Sequence, residues 1–250
     1  MAQQKGILPL KGTIGNITFY KSKDGYMARE KGSLNAERIA NDPAFARTRE
    51  NGAEFGRAGQ AGKVLRTALR SLLLNTADGR MLSRLTKEMM KVIQADAVNE
   101  RGLRNVIDGE ATLLEGFDFN AGSKLSTSLF APYTTNIDRV SGELSISIPS
   151  FVPVNMVAAP SGATHFKIVS AGVEIDFENK TYVVDFGNSN SLPINSTATA
   201  VLNLSHQVTA NSTKPLFLAM GIEFYQEVNG NQYSLKNGAF NALSLVKVEG

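Results

Sequence analysis

The sequence predicts an α+β fold: an N-terminal β-hairpin and two helices, then an antiparallel β-sandwich of immunoglobulin-like or jelly-roll-like kind. Three observations predict it. Apolar residues recur at helical spacing between about residues 43 and 98, and alternate from about residue 111 onward. The second part is punctuated by turn residues at short intervals, including Val228-Asn229-Gly230-Asn231, whose Asn-Gly pair is the strongest short-range hairpin signal. The charge changes sign at the same place: residues 1–110 hold 19 Lys and Arg against 12 Asp and Glu, a net +7, and residues 111–250 hold 7 against 11, a net −4. The expected organisation is a hairpin arm and linker over 1–41, a basic helical region over 42–110 and an all-β domain over 111–250.

Composition narrows the classes of function. At 250 residues, 42% hydrophobic and 20% charged, the chain is long and apolar enough to bury a core. It has no cysteine, which excludes disulfides, thiol nucleophiles and cysteine-bound zinc. No stretch approaches the roughly 18 apolar residues of a membrane span. The opening Met1-Ala2-Gln3-Gln4 lacks the basic flank and apolar run of a signal peptide. Synthesis in the cytoplasm is expected, with retention there or incorporation into a particle both open.

Taken in order, Thr13–Tyr20 is rich in β-branched and aromatic residues, Lys21-Ser22-Lys23-Asp24-Gly25 supplies a turn, and Tyr26–Arg29 returns, which makes a hairpin over 12–30. An extended linker follows over 31–41. Asp42 is placed as a helix N-cap with Pro43 at the first helical position, and a helix runs from Pro43 toward Leu74. Its middle is unusual: Gly52, Gly56 and Gly59 fall on one face at i, i+4, i+7, with Phe55 nearby. An interior glycine costs about 0.5–1 kcal/mol against alanine. Either the small face admits another backbone closely, or the helix is broken by a glycine hinge between 56 and 62. A second helix over 81–98 carries Leu82, Leu85, Met89, Val92 and Ile93 as its apolar stripe. Expected strands are 112–119, 142–148, 164–170, 173–178, 180–186, 197–208, 216–228, 232–235 and 239–248, with a turn at Glu178-Asn179-Lys180 and an irregular crossover around Pro149, Pro153 and Pro160.

Chemistry-bearing motifs are few. His165 and His206 stand on strands without metal-ligand spacing. Glu174, Asp176 and Glu178 alternate along one strand and read as a solvated face, with Val173, Ile175 and Phe177 turned inward. No phosphate-cradling loop and no nucleophile elbow occurs, so no catalytic residue, metal site, cofactor or small-molecule substrate is assigned. The basic residues Arg47, Arg49, Arg57, Lys63, Arg66 and Arg70, with Lys21, Lys23, Arg29 and Lys31 around the hairpin aromatics, leave a nucleic-acid partner open.

The stretch Lys5-Gly6-Ile7-Leu8, then Gly12-Thr13-Ile14-Gly15-Asn16-Ile17-Thr18-Phe19-Tyr20-Lys21, then a helix led by Asn41-Asp42-Pro43, resembles a group of uncharacterised Bacteroidota and phage-associated proteins. The resemblance covers about the first 75 residues. It implies a structural or particle role and no site residues.

The leading expectation is therefore a non-catalytic protein that assembles with itself into a particle, tube or filament. Its interface would be Ile14, Ile17, Phe19, Tyr20 and Tyr26 of the hairpin with Gly52, Phe55, Gly56 and Gly59 of the helix. Basic and acidic parts would meet head to tail, a heterologous contact. The alternatives are a sandwich that binds carbohydrate or a surface partner through loops 149–163 and 187–196, and a nucleic-acid binder using the basic part.

Overall fold

The computed structural model describes residues 2–4, 6, 8–22, 25–31, 36–235 and 240–250. Lys23 and Asp24 of the expected turn, Lys5 and Ile7 of the resembling stretch, residues 32–35 of the linker, and Ala239 at the start of the last expected strand lie outside them. The chain forms two compact units, 1–50 and 51–250.

In the first unit, β1 (Ala2–Gln3), β2 (Gly12–Ile14), β3 (Ile17–Ser22) and β4 (Gly25–Glu30) make an antiparallel sheet in the order β1-β4-β3-β2. This is more than the expected hairpin. The run 13–20 is two strands, because Gly15 takes a φ of 57° and opens a two-residue turn with Asn16. The linker contributes α1 (Ala36–Asn41). Asp42 then caps a 3₁₀ turn over Pro43–Phe45 by accepting from the Ala44 N–H at 2.9 Å, as its sequence position predicted.

Three helices follow: α2 (Ala46–Ala68), α3 (Arg70–Thr76) and α4 (Met81–Gln94). The glycines do not break α2. The break comes at Leu69, with φ −90° and ψ 14°. In α4 the stripe is rotated from the expected one: Met81, Leu85, Met89, Val92 and Ile93 are buried, and Leu82 faces out. The segment expected as a strand over 112–119 begins as a 3₁₀ turn, Ala111–Leu114. Two single-turn helices were not foreseen: α5 (Leu125–Ser128), where no element was expected, and α6 (Pro153–Met156), inside the crossover read as irregular.

The second unit holds two sheets. β7 (His165–Asp176) and β11 (Leu216–Val228) pair antiparallel at the centre of the larger one. β8 (Thr181–Asn188) and the short β9 (Leu192–Pro193) pair with β7, while β12 (Asn231–Ser234) and β13 (Ala242–Glu249) share the far edge of β11. The smaller sheet is β10 (Leu202–Gln207), β6 (Glu143–Ile148) and β5 (Thr134–Asp138), in that order. The β11–β12 turn places Asn229 and Gly230 at φ 52° and 76°, the primed turn that the Asn-Gly pair predicts. The strands expected at 164–170 and 173–178 are one, β7; β5 was not foreseen; and of 197–208 only Leu202–Gln207 pairs.

The larger sheet is covered on both faces. One face carries Val169, Ala171, Val173, Ile175, Phe217, Ala219, Leu243 and Leu245, in one core with Leu65, Leu69, Leu85, Met89 and Ile93 of the helices. The other carries Phe166, Ile168, Leu216, Leu218, Met220 and Phe224, in a second core with Leu144, Ile146, Ile148 and Leu204 of the smaller sheet. The helices of the second unit are thus a third layer, and the change of period near 110 falls inside a shared core. Glu174 corrects an expectation for this reason. It lies on the face covered by the smaller sheet, buried, where it accepts from the Thr209 N–H at 3.2 Å and stands 3.9 Å from Lys214 Nζ.

Because helices and sheet share a core, Met89→Ala should destabilise both by about 2–5 kcal/mol. Urea unfolding followed by far-UV circular dichroism and by amide exchange in β7 should give coincident midpoints. Helices that unfold well before the sheet would contradict the shared core.

Candidate functional site

Register decides which side chains of the N-terminal sheet share a face, since directly opposed residues point the same way. Ile14 opposes Ile17, Phe19 opposes Ala28, Ala28 opposes Ala2, and Lys21 opposes Tyr26. Ile14, Ile17, Phe19 and Tyr26 therefore lie on one face, with Lys21 Nζ 5.5 Å from the Tyr26 ring. Tyr20 is on the other face with Thr13, Thr18, Met27 and Arg29, under the Arg29 guanidinium at 5.5 Å. Of the five expected hairpin residues, four come together and Tyr20 does not. Among the described residues of 2–50 none is buried, and Ile14 and Ile17 are 65% and 46% exposed.

On α2, Gly52, Phe55, Gly56 and Gly59 lie on the side away from the core. A Cβ built on any of the three glycines meets nothing within 4 Å, and Phe55 is exposed. The opposite side is fixed by Glu54, which the sequence reading passed over, and by Arg57, which it placed on the basic surface. Glu54 is buried and accepts from the Gly102 N–H at 2.8 Å, and Arg57 Nη2 donates to the Gly102 carbonyl. The glycine side borders a groove of about 540 Å³ lined by Gly56, Gly59, Lys63, Thr67, Lys180 and Tyr182.

The six cations expected to make a basic surface do not act as a set. Arg47 pairs with Glu50 at 3.2 Å, and Arg49 donates to the carbonyls of Ile39 and Asp42 at 2.8 and 2.9 Å. Arg57 clips Gly102. Lys63 and Arg70 are exposed and Arg66 is half-buried. Half of the set spends donors within the chain, which weakens its fit to a phosphate backbone. In the loops 149–163 and 187–196, the single aromatic, Phe151, is buried in the second core and offers no stacking surface for a sugar. No protein family matches this chain. No curated protein or solved structure matches it either.

The histidines have separate fates. His165 contacts Thr164 Oγ1 at 3.0 Å and Glu227 at 3.5 Å. His206 is buried between the sheets. Its Nε2 lies 2.8 Å from Ser170 Oγ, and its Nδ1 lies 4.0 Å from Asp185 Oδ2. The imidazole fits because Gly172 and Gly187 stand beneath it: a Cβ on Gly172 would come 2.6 Å from His206 Cβ, and one on Gly187 2.9 Å from Cε1. The order Ser-His-Asp has the look of a nucleophile relay. However, Ser170 and His206 are 0% and 1% exposed, so no substrate reaches the hydroxyl and the group is a structural tie between sheets. Glycines inside strand sequence were the available signal for this close approach.

Burial holds His206 below its ordinary value near 6.5, with Asp185 opposing that shift. The unfolded chain therefore takes up the proton first. Stability from neutral His206 is fully present above about pH 6.5 and is lost as pH falls below it. Melting temperature should drop more steeply between pH 7 and pH 5 in the native chain than in His206→Gln. Parallel profiles would show that His206 is not the group responsible.

Proposed function

We propose that this protein is a non-catalytic structural subunit that assembles with copies of itself through its N-terminal sheet. The observation that carries the reading is that a four-stranded sheet is held with no buried residue among its described positions while one face presents Ile14, Ile17, Phe19 and Tyr26. A sheet gains little independent stability without a covered apolar face. A second copy supplies cover of matching chemistry, because the same apolar face is available on it.

The charge division, +7 over 1–110 and −4 over 111–250, supports head-to-tail contact, and such contacts generate rings or filaments. The resemblance of the first 75 residues to phage-associated proteins fits a subunit of a particle. Under this reading the two stacked sheets of the second unit are a sandwich of jelly-roll-like or immunoglobulin-like kind that carries an added helical layer. Among the described residues, no helix is long and apolar enough to cross a membrane.

Light scattering coupled to size exclusion tests the proposal, with negative-stain microscopy of the same fractions. The full chain should form large species that grow with concentration. Ile14→Asp with Ile17→Asp, at exposed positions, should raise the concentration needed for them by at least about tenfold, the effect of some 1.4 kcal/mol per contact. A full chain that stays monomeric at high concentration, or assemblies that ignore the double substitution, would sink it.

A further inference from the structure

β8 is an open edge. In its pairing with β7, Ser189 N–H donates to the Ile168 carbonyl at 2.8 Å, in the same register that opposes Val169 to Asn188. Pairs alternate along an antiparallel ladder, so the odd-numbered residues of β8 bond to β7. Tyr182, Val184, Phe186 and Asn188 turn their N–H and C=O groups outward. Among the described residues, no backbone bond from outside β7 reaches them.

The other edges are guarded. The outer side of β13 is paired with the 116–119 segment through Gly116, Phe117 and Phe119. β12 and β5 are four and five residues long, and β10 shows Asn203, Ser205 and Gln207 to solvent. β8 runs for eight residues without proline, lysine or arginine. Its one charge, Asp185, points toward the smaller sheet and accepts from the Gln207 N–H at 2.9 Å. Tyr182, Val183 and Phe186 are 41%, 44% and 44% exposed. A long, apolar, unguarded edge is a template for another strand.

We infer that β8 pairs antiparallel with β8 of a second copy across a two-fold axis at Val184, joining the two larger sheets into one. The strand is complementary to itself in this register. Tyr182 falls opposite Phe186 of the partner and Val184 opposite its own copy, all on the helix-covered side, because they oppose Ile175, Ala171 and Val173 of β7. Three of the four outward-facing residues then bond to outward-facing residues, for about six ladder hydrogen bonds. Centring the axis on Val183 instead would bring Lys180, which has a φ of 58°, opposite Phe186 and would leave about four, while centring it on Asp185 would enlist Asn188 for about eight but set Asp185 directly opposite its own copy, where like charges repel. The rings meet in aromatic cross-strand pairs. The groove beside Gly56, Gly59 and Tyr182 leaves room above the added strand, since nothing fills the space next to either glycine. This isologous contact uses no residue of 1–50, so it stands or falls separately from assembly through the N-terminal sheet.

The chain has no cysteine, so introduced thiols report position alone. The test uses the full chain carrying Ile14→Asp and Ile17→Asp, under mild oxidation on non-reducing gels. Val184→Cys should yield covalent dimer, because opposed Cα atoms stand about 5.5 Å apart, within disulfide reach. Tyr182→Cys or Phe186→Cys alone, about 13 Å from its own copy, should cross-link at least about tenfold more slowly. A mixture of those two proteins should give the 182–186 dimer at the rate of Val184→Cys. Both rings are exposed, so the mixture remains informative if Val184→Cys folds poorly. No covalent dimer from either arrangement, or equal rates at 182, 184 and 186, overturns the pairing.

Discussion

Burial of the larger sheet on both faces is the constraint from which the rest follows. β7 and β11 are nearly continuous in burial, which demands apolar side chains on both sides of each strand and two separate covers. The helices supply one and the smaller sheet the other, in two cores that meet only through the sheet. Removing water from these strands, at roughly 25 cal/mol for each Å² of apolar surface, is the largest favourable contribution available to the second unit. The exposed side of α2 adds none of it, so its glycines are free of packing demands.

The two units differ in this respect. The second ties many polar groups inside the fold: Glu54 and Arg57 grip the Gly102 backbone, Asp96 accepts from the N–H groups of Val98, Asn99 and Asn105, and Lys214 stands 2.9 Å from Asp176. The first also pairs polar groups within itself, as Arg49 does with the Ile39 and Asp42 carbonyls, but none of its described residues is buried. Its aromatics are half-covered by its own cations, and its aliphatic residues face outward. The second unit has a buried interior and the first, among its described residues, has none; on the proposed reading, copies of the chain supply the missing cover.

Much of this was legible in the residues. Asp42-Pro43 marks a helix start by capping chemistry alone, and Asn229-Gly230 marks a turn by its tolerance of positive φ. The face shared by Ile14, Ile17 and Phe19 did not follow from alternation, which in a single strand sets Ile14 against Ile17; the turn at Gly15 brings them together. The failures have physical causes. Thr13–Tyr20 looks like one strand until Gly15 turns it. Residues 112–119 carry strand-like composition but settle against β13 as an irregular edge. Glu174 alternates with Val173 and Ile175 as a surface residue does, and only the smaller sheet, far away in sequence, makes it interior. The contact between His206 and Ser170 joins strands 36 residues apart and leaves no local trace apart from two strand glycines.

The cradle around His206 links three positions in the chain's history. While the imidazole stays, 172 and 187 accept no side chain larger than hydrogen, because β10 lies too near. A lineage that first replaced His206 with a small residue would release Gly187 alone, since Gly172 is barred by the Cβ that every residue but glycine keeps at 206, and later replacement of Gly187 would bar the histidine's return. Related chains should therefore keep glycine at 172 whatever stands at 206, and should rarely combine histidine at 206 with a side chain at 187. The spacing between the two sheets acts as a ratchet on sequence drift.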